Sequence, residues 1–370
     1  ILLSYGYSSC VMLRKSFGLC RNIILSINCN RLWLTMKERQ EAMKIHAFGV
    51  REDEKQAFEQ ISAQCGVEVT LSDETPSLEN ADLVKGYEGV TVLGMGNIDR
   101  DLLRCYSENG VRFLSTRTIG YNNIDLVAAK ELGIKVCNAA YPPNGVADFT
   151  VMMILMCLRQ YKQALWRGQV NDFSLQGLQG RDMNELTIGV MGTGRIGLQV
   201  LKNLSGFGCR LLAYDIYKNP EAEKLATYVD QDTIYKECDV ISLHMPLFDS
   251  TYHIINHKTI AKMKDGVILI NCARGGLTDI DALVDGVESE KIGALGMDTV
   301  EGEEGIVHED RRTDIISNRN WFYLHQFRNV IMTQHMAFYT KEAVESMVRC
   351  GVEGIVQMEK TGSCSTMLTK

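Results

Sequence analysis

Twelve cysteines are present, yet no two form a C-x-x-C pair and their spacing follows no regular interval. That absence excludes a zinc ribbon and a disulfide framework, and so many unpatterned thiols point to a reducing, cytoplasmic compartment. Positive charge is also short. Against 46 Asp and Glu stand 39 Lys and Arg, for a formal net charge of -7. A nucleic-acid surface needs the opposite balance, so no nucleic-acid partner is expected. No apolar run reaches membrane-spanning length, the stretch from Val151 to Leu158 being too short, and no membrane partner is expected either. What remains is ordinary: 370 residues, 45% hydrophobic and 23% charged, enough for two domains.

The first 42 residues differ from the rest. They do not open on Met, hold no acidic residue before Glu38, and carry Cys10, Cys20 and Cys29. Arg14, Lys15, Arg21 and Arg31 interrupt every apolar run, so no signal-peptide core forms. A transit peptide fits that composition. The preferred reading is a start at Met43, with residues 1–42 a leader outside the fold.

The chain is organised around the stretch from Leu186 to Leu204. Thr187 to Met191 is a short apolar run with strand character, followed by Gly192-x-Gly194-x-x-Gly197. Ile196, Val200, Leu201 and Leu204 then recur at helical spacing. Strand, glycine turn and helix in that order form a dinucleotide-binding fingerprint. Gly192 permits the tight turn, Gly194 lets a pyrophosphate approach the backbone, and Gly197 lets helix and strand pack closely. The next strand, from Arg210, ends at Asp215, about 20 residues after the glycines. A carboxylate there accepts hydrogen bonds from ribose hydroxyls and repels a 2′-phosphate, which favours NAD.

From Met43 strands and helices alternate. Lys44 to Phe48, Val67 to Val69, Tyr87 to Leu93, Val111 to Ser115 and Ile134 to Cys137 read as strands. Glu52 to Cys65, Ile98 to Asn109 and Ile124 to Leu132 read as helices between them. This pattern implies a small doubly wound α/β unit with a parallel sheet. Pro142 and Pro143 end it and open a long helix, Val146 to Tyr161, apolar on nearly all sides. Such a helix must be buried, in its own core, between domains or against a second subunit.

In open sheets of this kind, function sits just past the carboxyl ends of strands. Arg274 follows the strand ending at Asn271, Glu303 follows the one ending at Met297, and His335 follows the one ending at Thr333. A guanidinium can hold a substrate carboxylate through two parallel hydrogen bonds and polarise the neighbouring carbonyl. An imidazolium can deliver a proton to the carbonyl oxygen as hydride reaches carbon. A carboxylate beside the imidazole favours its charged form and fixes its orientation. The three together fit hydride transfer to a 2-oxo acid.

With these residues in view, the chain from Met43 to about Gly362 resembles the D-specific 2-hydroxyacid dehydrogenases. The resemblance rests on Gly192 to Gly197, Asn271 to Leu277, Met297 to Glu303 and His335 to Thr340. It implies two doubly wound parallel-sheet domains, a Rossmann NAD-binding domain inserted into a flavodoxin-like substrate domain. The expected substrate domain is 43–141 plus 338–370, and the NAD-binding domain 142–337. Arg274 is implied to bind and polarise the substrate, Glu303 to be the carboxylate partner and His335 the proton donor. Gly192, Gly194, Arg195, Ile196, Gly197, Asp215, Met245, Pro246, Cys272, Ala273, Arg274 and Asp298 fall where the family contacts NAD. Ile119 and Gly120 lie in a stretch similar to the loop whose amides receive the substrate carboxylate. Tyr141 matches the hinge aromatic and Phe338 the lining of the side-chain pocket, unless both serve only to pack the hinge.

Within the family the nearest look is to D-lactate dehydrogenases, including the vancomycin-resistance type, although that type lacks an acid where this chain has Asp215. Gln334 departs from the usual proline, and Gly276 stands where proline and glycine vary. The expected reaction is NADH-dependent reduction of pyruvate to D-lactate. Reduction to a (R)-2-hydroxyisocaproate or an aryl-lactate is the alternative, and an NAD-sensing co-repressor a distant one. The family resemblance implies a homodimer on the Val146 to Tyr161 helix and closure about a hinge at Tyr141. The charged segment Ile306 to Asn320 reads as a solvated insertion, His253 and His257 as surface histidines rather than metal ligands, and Ser363 to Lys370 as a disordered tail.

Overall fold

The computed structural model describes residues 42–94 and 96–369. The expected leader therefore lies outside the described residues, apart from Ala42. The described chain packs as two units, one reaching to Ala140 and resuming at Glu345, the other spanning Tyr141–Val344.

In the first unit β1 (Lys44–Ala47), β2 (Glu68–Leu71), β3 (Gly89–Val92), β4 (Phe113–Thr116) and β5 (Lys135–Cys137) form one sheet in the order β2-β1-β3-β4-β5. Every pairing is parallel. β3 and β4 are buried along their whole length, as a strand covered on both faces must be. One face packs Val90, Val92, Leu114 and Val136 against the helices Arg100–Glu108 and Leu126–Glu131. The other packs Ile45, Ala47 and Phe113 against Phe58 and Ile61 of the helix Lys55–Cys65 and against Val348, Val352 and Ile355. Asp99 and Asp125 cap the first two helices through their side chains, using amides that the helix itself leaves unpaired.

The second unit is a seven-stranded parallel sheet. Its strands are β6 (Thr187–Met191), β7 (Arg210–Tyr214), β8 (Thr227–Tyr228), β9 (Val240–Leu243), β10 (Val267–Asn271), β11 (Ile292–Met297) and β12 (Val330–Met332). They lie in the order β12-β11-β10-β9-β6-β7-β8. β6 pairs with β7 on one side and β9 on the other, so the strand order reverses at β6, where such sheets bind their ligands. This is the expected arrangement, a Rossmann sheet inserted into a flavodoxin-like unit.

Two expectations need correction. The apolar helix spans Asn144–Leu158, not Val146 to Tyr161; Gln160 turns left-handed (φ 52), and a second helix, Tyr161–Gln169, follows. The tail is ordered as far as Thr369. Leu368 donates to the Val136 carbonyl, Thr369 Oγ1 accepts from the Val136 amide, and Met367 bridges Cys137 antiparallel. As expected, residues 306–320 are largely exposed; they run as turns to Asn318, which caps the helix Arg319–Gln326. Residues 338–344 and Tyr141 pack with the second unit. Thr340 approaches Gly145, and Arg195 donates to the Tyr141 carbonyl (3.1 Å).

Among the described residues no helix is long and apolar enough to cross a membrane.

Candidate active site and cofactor cradle

At the end of β6 the chain turns at Gly192 (φ 95). A Cβ there would lie 2.7 Å from the His244 carbonyl, and one on Gly197 would collide with the Gly192 carbonyl oxygen. Glycine is required at both places. Gly194 is exposed, with nothing near its missing side chain. It starts the helix Arg195–Leu204, whose first turn has no side-chain cap. Free amides at a helix N-terminus beside a side-chain-free loop are an anion site. Arg195 is exposed and Ile196 half-buried on that first turn.

Asp215 stands just past β7. Its Oδ2 accepts from the Thr193 amide (2.6 Å) and its Oδ1 from the Tyr217 amide (3.0 Å). Tyr228 from β8 meets Thr193 Oγ1 at 2.5 Å. The carboxylate is thus fixed against the glycine loop and half-exposed, where a ribose would come. Met245 is buried and Pro246 exposed beyond β9, and Cys272 is buried beyond β10 with Ala273 half-buried beside it. Burial pushes the Cys272 thiol up, so it stays protonated. These residues fit a dinucleotide along the carboxyl edge of the sheet.

His244, beside the cradle, was not singled out in the sequence. Its Nε2 meets Ser242 Oγ at 2.8 Å while its Nδ1 is buried without a partner. Burial lowers its pKa from 6.5 to about 3, leaving a neutral ring.

His335 (φ 53) sits beyond β12 with its Nδ1 2.7 Å from Glu303 Oε1. The other Glu303 oxygen accepts from the Val300 amide at 2.8 Å, fixing the carboxylate. Asp298 is 1% exposed. It accepts from Thr333 Oγ1 and the amides of Met336 and Ala337 at 2.6–2.8 Å, and so clamps the His335 loop. Arg274 donates to the Ala273 carbonyl (2.7 Å) and bonds to neither His335 nor Glu303. Gly275 beside it presses on the backbone of Val300 and Glu301, joining the Arg274 turn to the Glu303 turn. The Tyr141 hydroxyl is pushed up to about 12 by burial, with a smaller opposing pull from Arg274.

His253 is no free surface histidine. Its Nε2 lies 2.7 Å from Glu301, which also accepts from Tyr252. With Asp279 they converge within 4.8 Å, but Asp279 caps the helix Ile280–Glu288 and Glu301 also accepts from the Ile280 amide. The cluster holds the Glu301 turn together.

Ile119 and Gly120 belong to the first unit. Asn138 donates to the Ile119 carbonyl and Thr118 to the Gly120 carbonyl (2.8 and 2.7 Å). Both carbonyls are engaged, which fixes the orientation of this half-buried loop. Just before it, Arg117 is fully buried, 2.9 Å from an equally buried Glu54.

Comparison with known proteins settles the family. Residues 151–337 match the profile of the D-isomer specific 2-hydroxyacid dehydrogenase, NAD binding domain. The chain belongs to the D-isomer specific 2-hydroxyacid dehydrogenases. This dehydrogenase is 43% identical to an aromatic 2-oxoacid reductase of Clostridium sporogenes, over 87% of this chain and 98% of the relative. It is 37% identical to the D-lactate dehydrogenase of Escherichia coli, over 88% of this chain and 100% of that one. It superposes on the NAD-complexed D-isomer specific 2-hydroxyacid dehydrogenase of Lactobacillus delbrueckii ssp. bulgaricus with a TM-score of 0.77. That match is 30% identical and covers 88% of this chain and 100% of the other. The dehydrogenase uses NAD.

Proposed function

We propose that this dehydrogenase reduces a 2-oxo acid to the D-2-hydroxy acid with NADH, taking an aryl or branched side chain in preference to pyruvate. The observation that carries the reaction is the Nδ1–Oε1 contact between His335 and Glu303. With Nδ1 held, Nε2 is the nitrogen left to give a proton to the substrate's carbonyl oxygen. Bound NADH supplies the hydride. Arg274 meets no carboxylate among the described residues, leaving its guanidinium to hold the substrate carboxylate bidentately and draw density from the carbonyl. Ile119 and Gly120 keep the role that the resemblance implies for their amides, as substrate-binding groups. Gly192, Gly194, Arg195, Ile196 and Gly197 hold the pyrophosphate and Asp215 the ribose hydroxyls. Met245, Pro246, Cys272, Ala273 and Asp298 line the nicotinamide end.

The sequence alone favoured pyruvate. Two observations favour a larger side chain: the rings gathered at His335 and Phe338, and the 43% identity to an aromatic 2-oxoacid reductase. Chiral chromatography of the product tests the reaction. The D-isomer is expected, and an L-product would overturn the assignment.

Homodimer formation belongs to the same reading. Met152, Leu155, Tyr161, Leu165 and Trp166 are exposed along the two helices from Asn144 to Gln169. A groove of about 820 Å³ lies among Met152, Leu155, Tyr161 and Phe207. Apolar surface of that extent on one face suits a second copy of the chain. No disulfide joins the described cysteines Cys65, Cys105, Cys137, Cys157, Cys209, Cys238, Cys272 and Cys350, which supports a cytoplasmic location.

A further inference from the structure

The segment after Glu303 returns to the site. The amides of Ile306 and Val307 both donate to the Glu303 carbonyl (3.0 and 3.2 Å), and Arg311 donates to the Gly305 carbonyl (2.9 Å). This compact turn delivers His308 to His335. His308 is left-handed (φ 64), a conformation that costs a non-glycine residue free energy and is kept only where its surroundings hold it. Its Nε2 lies 3.1 Å from the His335 carbonyl oxygen. A carbonyl can only accept, so the ring nitrogen donates.

The bond sets three rings in a near-equilateral triangle. Centroids lie 6.0 Å apart for His308 and His335, 6.2 Å for His308 and Phe338, and 6.3 Å for His335 and Phe338. Their planes cross at 50°, 69° and 79°, within the tilted and edge-on arrangements that aromatic rings prefer. Tyr339 extends the group, 6.0 Å from Phe338. His308 is exposed while His335 and Phe338 are half-buried, so the triad keeps an open side next to the proton donor.

We infer that His308 is a specificity-determining residue, which with Phe338 selects 2-oxo acids whose side chain ends in an aromatic ring. The inference rests on the 2-oxo acid reading above. A flat side chain can add a fourth ring to the three, in offset or edge-to-face contact. The single methyl of pyruvate brings no ring to that wall. Glu303 and His308 stand on one turn, so the segment that orients the proton donor also shapes what lies beside it.

The test compares kcat/KM for phenylpyruvate and pyruvate, at saturating NADH, in wild type, His308→Ala and His308→Phe. Loss of the ring in His308→Ala should lower the phenylpyruvate-to-pyruvate ratio about five- to tenfold. In His308→Phe the ring stays and the hydrogen bond goes, and the ratio should stay within about twofold of wild type. If both variants lose activity on the two acids in equal proportion, or neither changes the ratio, His308 only props the His335 backbone and the inference is overturned. Wild-type protein that turns over 4-methyl-2-oxopentanoate but neither of the two acids overturns the assignment of His308 alone; protein that turns over none of the three refutes the parent reading, and the assignment falls with it.

Discussion

His335 Nδ1 lies 2.7 Å from Glu303 Oε1, and the backbone fixes both partners independently. Asp298 clamps the amides on either side of Met336, and the Val300 amide holds the second Glu303 oxygen. Replacing the carboxylate by an amide therefore removes charge while leaving the frame in place. Glu303→Gln should lower kcat/KM for reduction about 10- to 100-fold. An unchanged kcat/KM, with chemistry rate-limiting, would remove Glu303 from this role.

Asp215 buttresses the glycine loop, and in the proposed assignment its carboxylate also meets the ribose. Asp215→Ala should narrow the preference for NADH over NADPH about 10- to 100-fold, the worth of hydrogen bonds to a charged group. Any general loosening of the Thr193 turn affects both cofactors alike, so the ratio isolates the ribose contact. An unchanged ratio would show that Asp215 serves only the loop.

The fold was legible where burial dictates pattern. β6, β10 and β11 end where expected because each is a nearly continuous buried, mostly apolar run in a parallel sheet, closed by a polar or turning residue. The break at Gln160 carried no such mark, since no glycine or proline announces it. The order of the tail was hidden for a different reason. Thr366 to Thr369 takes its structure from the edge of β5, and nothing in its own alternation reveals that partner. The candidate site divides the same way. Arg274, Glu303 and His335 stand directly past strand ends, which sequence order exposes. His308 reaches His335 only through a turn closed on the Glu303 carbonyl, and in sequence it is one polar residue in a charged stretch. Its spacing, five residues after Glu303, was the available signal.

The buried pair Glu54–Arg117 sets the start of the loop carrying Ile119 and Gly120. Arg117 also donates to the Phe48 and Gly49 carbonyls, and burial lowers its pKa while Glu54 opposes the shift. Removing one partner leaves an uncompensated charge in the core. Glu54→Ala should destabilise the first unit by about 3–5 kcal/mol, whereas Glu54→Gln paired with Arg117→Met should recover part of the loss. Denaturant unfolding measures both. A loss under about 1 kcal/mol in the single variant would show that solvent reaches the pair.

His244 makes acid stability depend on one ring. Its folded pKa of about 3 lies below the unfolded value of 6.5, so between those values the unfolded chain binds the extra proton. The contribution is whole above pH 6.5 and is lost as pH falls toward 3. The slope is roughly 1 kcal/mol per pH unit. His244→Asn should show a shallower loss of stability between pH 6 and 4, and urea unfolding at the two values reads the difference. Equal slopes would mean that the wild-type ring takes up its proton while folded.

Reduction of a 2-oxo acid by NADH is most directly tested by NADH oxidation with the purified full chain. The panel is pyruvate, 2-oxobutyrate, 4-methyl-2-oxopentanoate and phenylpyruvate, with NADPH as the parallel donor. The account predicts turnover with NADH well above NADPH, and the highest kcat/KM at phenylpyruvate or 4-methyl-2-oxopentanoate. A maximum at pyruvate would contradict the side-chain assignment, and no turnover with any acid, although NADH binds, would contradict the account as a whole.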